Sequence, residues 1–505
     1  MTSAVDNQCL PDELLELIEA QIGPIDRALE AAVLGVYQAS SGEEFYDAER
    51  AVRAELTRRA DLAVGEVLKH RAGDPALVEP AKQLMMARAD VAGVKMKSHG
   101  RRPTRVRLLG GTEVQFRTLQ LLPVAPKGPG RKRGRGRRGK TGSGVYPALE
   151  VLGISGRATP ALQAEVAREV AEANSTEVAR KSLFERGIDV PHKMALRLTY
   201  HFGERALERR ASSIDEVSQE KGAPSPGELS GRRIAVSVDG GRLRVRVNPT
   251  AGRRNAKTHH RRYKAPWREP KVLSIYVIDE EGKKHRRHRT FLDGTMGDAD
   301  DVFALMVGHL RLMGAHLATH LVLLGDGAKW IWGRAEELRG ALDLPLERFT
   351  EVVDHYHALE HLTEISKLPR AWTEDERNTW LKRSRKLLTD GHIEKLQARI
   401  EELAVGRRAK AVHEAVGYFK NNAERMRYAD FRASGLPIGS GSVESAVRRV
   451  VNLRMKGNSV FWLDDHAEAM LHLRAHLKAG RWDDLVRATL SQPNWIPVPR
   501  RPLSS

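Results

Sequence analysis

Residues 234 to 353 constrain the fold more than any other stretch of the chain. IAVSVDG (234–240) and RLRVRVN (242–248) alternate apolar and polar residues about a Gly-Gly turn, and VLSIYVID (272–279) supplies a third β-run. In DADDVFALMVGHLRLMGAHL the period changes. Val302, Leu305, Met306, Leu310, Met313 and Leu317 share one helical face, with Asp298 or Asp300 as the cap. The apolar strand LVLLG follows, then a short helix near 335–342 and a further strand in RFTEVVDHY. Three strands in a row and then helix–strand–helix–strand predict a mixed sheet flanked by helices. Just before that first helix, FLDGTMGDADD reads as a turn and a cap, since its aspartates lack EF-hand spacing.

The flanking segments divide the 505 residues further. Residues 1–104 are helical in pattern, and 105–145 hold a hairpin (RVRLLGGTEVQFRTLQLL) followed by the basic arm KGPGRKRGRGRRGK. Residues 146–225 contain STEVARKSLFERGIDVPHKMALRLTYHFG, with small Ala179, turn Gly187, apolar Ile188 and Val190, and Pro191 at the second helix's start. That layout suits a DNA-reading helix-turn-helix or an ordinary helical hairpin. The core's first part covers 230–356, a helical insertion 357–432, the last core helices 433–490, and a tail 491–505. A net charge of +19 favours a polyanionic partner. One cysteine, Cys9, excludes an internal disulfide and any cysteine-based zinc ribbon. No apolar run is long enough to span a membrane, and the first residues lack a signal peptide's layout, so a cytoplasmic, nucleoid-associated protein is expected.

Two motifs match by letters. GRGRRGKT (134–141) satisfies the P-loop pattern but has neither a strand before it nor a helix after it, so ATP binding is not expected. HALEH (357–361) would place His357 and His361 on one helical face with Glu360 as general base, as in certain zinc peptidases, and would need a third ligand. The plainer reading is a helix start facing a cleft.

Three acids stand out instead. Asp239 and Asp326 each end an apolar strand beside glycines, and Glu444 opens a helix behind GSGS. Singly, each is a turn former or a helix-dipole partner. Together they offer oxygen-only ligands suited to Mg2+ or Mn2+, and such ions in pairs clamp a phosphodiester during in-line displacement.

VSVDGG, WREPKVLSIYVID, LLGDGAKWIW, VVDHYHALEHL and GSGSVESAVRRVVNLRMKGNSVFW, in that order, resemble the DDE transposases of bacterial insertion sequences. The nearest group is the ISKra type, related to the Mutator-like lineage, and the likeness covers residues 230 to 485. The resemblance implies an α/β RNase H-like catalytic core with a helical insertion, preceded by a mainly helical DNA-binding region. It implies catalytic and metal-binding roles for Asp239, Asp326 and Glu444, two Mg2+ or Mn2+ ions, and supporting roles for Asp354 and His357. The implied activity is metal-dependent cleavage and strand transfer of double-stranded DNA, at element ends and target, by a homo-oligomer. A non-catalytic DNA-binding descendant, or a nuclease or resolvase that cleaves without joining, are the alternatives. Expected phosphate contacts are Arg131, Lys132, Arg133, Arg135, Arg137, Arg138 and Lys140 in the arm, and Arg253, Arg254, Arg261, Arg262, Lys264 and Arg268 further on. Trp330 and Trp332 are candidates for stacking on an unpaired base, with packing at the sheet edge as the alternative. The cysteine-rich ribbon that many relatives carry after the N-terminal hairpin is replaced here by the basic arm.

Overall fold

The structure, a computed structural model, describes residues 16–17, 19–20, 27–124, 144–219, 226–247, 263–458 and 460–491. The arm residues Arg131, Lys132, Arg133, Arg135, Arg137, Arg138 and Lys140, and Arg253, Arg254, Arg261 and Arg262, lie outside these. The chain forms two compact units, Met1–Arg205 with Val486–Ser505, and Ala206–Leu485.

In the first unit, helices α1 (Arg27–Gln38), α2 (Gly42–Gly73) and α3 (Pro75–Val91) precede the hairpin of β1 (Met96–Arg107) and β2 (Glu113–Pro123). The hairpin tip is held by Asp61 of α2, whose carboxylate accepts the N–H groups of Gly110 and Thr112, each at 3.0 Å. The ribbon starts well before the expected residue 105. Residues 97–103 are exposed on both faces, so no apolar alternation marks them, and only pairing with β2 makes them a strand. Helices α4 (Pro147–Val151), α5 (Pro160–Glu172), α6 (Thr176–Glu185) and α7 (His192–Gln219) follow, α7 belonging to the second unit from Ala206 on. Ser175 caps α6 by accepting the Val178 N–H, Gly187 turns the chain at φ +84°, and Ala179, Leu183, Ile188 and Val190 are buried beneath the turn. Two helices joined by a glycine turn are therefore present, an arrangement common to a helix-turn-helix and a helical hairpin.

The second unit is built on five strands: β3 (Arg233–Gly240), β6 (Lys271–Val277), β7 (Phe291–Thr295), β8 (His320–Gly325) and β9 (Phe349–Val353). They lie in the order β7-β6-β3-β8-β9, with β3, β6 and β7 antiparallel and β8 and β9 parallel to β3. Strand alternation divides the apolar residues between two faces. Ile234, Val236, Leu321 and Leu323 pack on helix α8 (Ala299–Leu312), which Asp298 caps in a capping box with Asp301. Ala235, Val322, Leu324 and Val352 pack on α11 (His355–Ser366), α12 (Glu374–Thr389), α13 (Ile393–Glu401), α14 (Ala409–Asn421) and α15 (Tyr428–Ala433). Two short helices, α9 (Lys329–Trp332) and α10 (Ala335–Ala341), connect β8 to β9. Helices α16 (Gly441–Val447), α17 (Asp464–Lys478) and α18 (Trp482–Leu490) end the described chain, with α18 crossing the boundary between units.

The meander's membership differs from expectation. RLRVRVN is not in the main sheet: its strand β4 (Leu243–Arg244) pairs with β5 (Trp267–Arg268) in a separate ribbon. The third strand is FLDGT, all five residues buried, where the sequence suggests a turn. Its Asp–Gly pair looks like punctuation, yet Asp293 is fully buried because distant residues neutralise it. Arg210 Nη1 lies at 3.1 Å, His309 Nε2 and His472 Nδ1 each at 2.8 Å.

Candidate active site

The parallel ladder positions the acids. Ser237 pairs with Leu324 and Gly325 with Val353, so Asp239, Asp326 and Asp354 leave three adjacent strands at the same level. By alternation, Asp239 and Asp326 fall on the face of Ala235, Val322 and Leu324, where the helical insertion packs. Each carboxylate is braced by one neighbouring amide. Asp239 Oδ1 accepts the Gly240 N–H at 2.6 Å, and Asp326 Oδ1 accepts that of Ala328 at 3.0 Å. Glu444 is exposed on α16, a helix docked on the sheet through buried Val443 and a 2.9 Å hydroxyl pair between Ser442 and Ser274 of β6.

Burial raises the Asp239 carboxyl above its ordinary range; the Gly240 N–H opposes this, the Asp326 charge adds to it, the His357 imidazole opposes it and Glu444 adds to it. The three acids and His357 thus share one electrostatic field. The three carboxylates are not drawn within 4.8 Å of one another, however. Among the described residues, the one set of three or more metal-ligating side chains that close is Asp293, His472 and His476.

Asp354 plays a different part from the other acids. It is completely buried, caps α11 by accepting the His357 N–H at 2.8 Å, and accepts the Ser440 N–H as well. Its own N–H donates to Gly325 O at 2.7 Å, and the His355 N–H donates to Ile438 O at 2.9 Å. Both carboxylate oxygens are occupied by backbone, so Asp354 is a clasp that sets the GSGS loop, and with it Glu444, beside the strand ends.

The insertion brings further groups. His357 lies 3.4 Å from Glu360, and His361 stacks on Tyr418 with ring centroids 4.0 Å apart. Burial, then the charge of His357, lowers the pKa of His361. Tyr418 Oη is buried and has no hydrogen-bond partner among the described residues; burial, and after it the charges of Asp326 and Asp354, push its pKa up. Sequence reasoning missed Tyr418, which stands in a helical run with no local marker. The ring explains Gly327, where a Cβ would lie 2.0 Å from Tyr418 Cε2. At Gly240 a Cβ would lie 2.2 Å from Glu269 Oε1. The glycines beside both aspartates thus make way for protein side chains. His357 and His361 do share a face with Glu360, but no described third ligand completes a zinc site there.

The tryptophans are half-buried. Trp332 Nε1 donates to Asp326 O at 3.1 Å under the Arg425 guanidinium, and Trp330 packs edge-on to Phe303 with Lys271 Nζ 5.0 Å above it. Of the expected cationic residues that are described, Lys264 is exposed, and Arg268 donates to Met296 O at 3.2 Å with Asp464 at 3.9 Å. No protein-family model matches the chain, and no curated protein does.

Proposed function

We propose that Ala206–Leu485 is an RNase H-like phosphodiester-transfer core, and that the chain is a DDE-type DNA transposase. The observation that carries this reading is the register that brings Asp239 and Asp326 to adjacent ends of parallel strands, with Glu444 on the helix docked beside them. The strand order, an antiparallel meander extended by two parallel strands, supports the same reading.

The donor set suits Mg2+ or Mn2+. It consists of carboxylate oxygens, and Oδ2 of Asp239 and of Asp326 carries no hydrogen bond among the described residues. Bound there, the cations would activate the attacking oxygen and neutralise the leaving one. The protein's own groups orient the rest: amides fix one oxygen of each aspartate, Asp354 fixes the loop before Glu444, and the His357 imidazole acts electrostatically on Asp239.

The test is Mg2+-dependent cleavage and joining of duplexes carrying the terminal sequences that flank the gene. Asp326→Asn and Glu444→Gln should each lower both steps at least about a hundredfold. Full activity of Asp326→Asn would refute the assignment. Cleavage without joining would favour a nuclease or resolvase, and binding without cleavage a non-catalytic descendant.

A further inference from the structure

Three residues beyond Gly240, strand β4 begins a small ribbon unlike the rest of the unit. Leu243 and Val245 are buried, while Arg242, Arg244 and Arg246 fall on the opposite face, an arginine about every 6.6 Å. The ribbon is framed on both sides. Val245 N–H donates to Pro266 O at 3.0 Å, Val247 N–H to Lys264 O at 2.9 Å, and Trp462 N–H to Arg244 O at 3.0 Å.

These arginines lie over aromatic rings. Arg244 is 4.8 Å from the Trp267 centroid and 6.0 Å from Phe461, Arg242 is 5.8 Å from Trp267, and Arg246 is 4.4 Å from Tyr263. Tyr263 and Phe461 meet edge-to-face at 5.4 Å. Trp267 is 45% exposed and Tyr263 39%, so both rings offer surface to a ligand beside the arginines. None of the three arginines pairs with a carboxylate among the described residues, and Arg246 Nε, buried, has no partner there. An anion is the missing complement.

We infer that this ribbon is a platform for an unpaired DNA strand. Rings and guanidinium planes stack on bases that a duplex would keep occupied, and the unneutralised arginines hold the phosphates between them. A strand held there passes within a few residues of Asp239. Its relation to the reaction rests on the function proposed above; its binding does not.

The experiment measures binding of the full chain to fluorescein-labelled oligo(dT) and to a duplex of equal length, with EDTA present so that no cleavage occurs. Trp267→Ala should weaken oligo(dT) binding about tenfold and duplex binding less than about threefold, while Trp267→Phe stays near wild type. Arg244→Gln should also weaken oligo(dT) binding and flatten its salt dependence. Wild-type oligo(dT) affinity in Trp267→Ala overturns the proposal, as does equal weakening for strand and duplex, or failure of the wild-type chain to bind oligo(dT). Tighter binding to oligo(U) than to oligo(dT) overturns the assignment to DNA. Asp326→Asn, which tests the transfer reaction, should bind oligo(dT) like wild type, so the two readings fail separately.

Discussion

At the scale of single residues, the acidic site works against the fold that holds it. Asp239 is partly buried facing two like charges, an arrangement that the cations proposed above would relieve. Asp326→Asn should therefore raise the melting temperature in EDTA while abolishing any rise on adding Mg2+; calorimetry with and without the ion checks both. A lower melting point in EDTA would show that Asp326 is structural. The glycines give a second contrast. Gly327→Ala drives a methyl into the Tyr418 ring, which is stacked on His361, and should cost about 2 kcal/mol in chemical denaturation. Gly240→Ala meets the exposed Glu269 side chain, which can swing aside at the expense of its ion pair with Lys271, and should cost about 1 kcal/mol or less.

At the scale of elements, legibility followed locality. β3, β8 and α8 announce themselves by period, and Asp298 caps α8 as its sequence suggests. β7 does not, because the reason Asp293 can be buried lies in Arg210, His309 and His472, far along the chain. Asp239 and Asp326 were visible as a pair because both end apolar strands. Asp354 carries only a supporting role by resemblance, and its two amide donors give that role a physical content: it positions backbone. Asp354→Ala leaves both N–H groups without their acceptor and should cost about 3 kcal/mol, whereas Asp354→Asn keeps one acceptor oxygen and should cost about half of that. Urea titrations of the two variants test the order.

At the scale of the whole molecule, charge governs behaviour. If the chain binds DNA as proposed and its basic segments neutralise about six phosphates or more, affinity should fall at least about a thousandfold between 50 and 200 mM salt, read from binding isotherms. Acid is the second lever, acting through the buried network of Arg210, Asp293, His309, His472 and His476, with Glu468 and Arg481 beside it. Burial lowers the pKa of His309 and of His476, so these rings stay neutral when the unfolded chain, near its ordinary value of about 6.5, already binds protons. Stability should thus decline as the pH falls below about 6.5. Asp293, held well below the usual range chiefly by Arg210 against the cost of burial, keeps its contribution above about 3.9 and loses it only at stronger acid. Melting curves from pH 7.5 to 5 should show the first decline, and Asp293→Ala, which strands Arg210, should melt lower throughout.

The clasp at Asp354 has a consequence for how such a chain changes over time. The polypeptide departs from the sheet at His355 and comes back at Ile438, with those two residues hydrogen-bonded to each other. Everything in between is an excursion whose doorway has a constant width. The turns between the excursion's helices can be lengthened or shortened without shifting a strand end, because the added loop entropy grows only with the logarithm of length, while the helix faces packed on the sheet must be kept. Changes of length should accumulate in those turns, and the doorway itself should tolerate almost none.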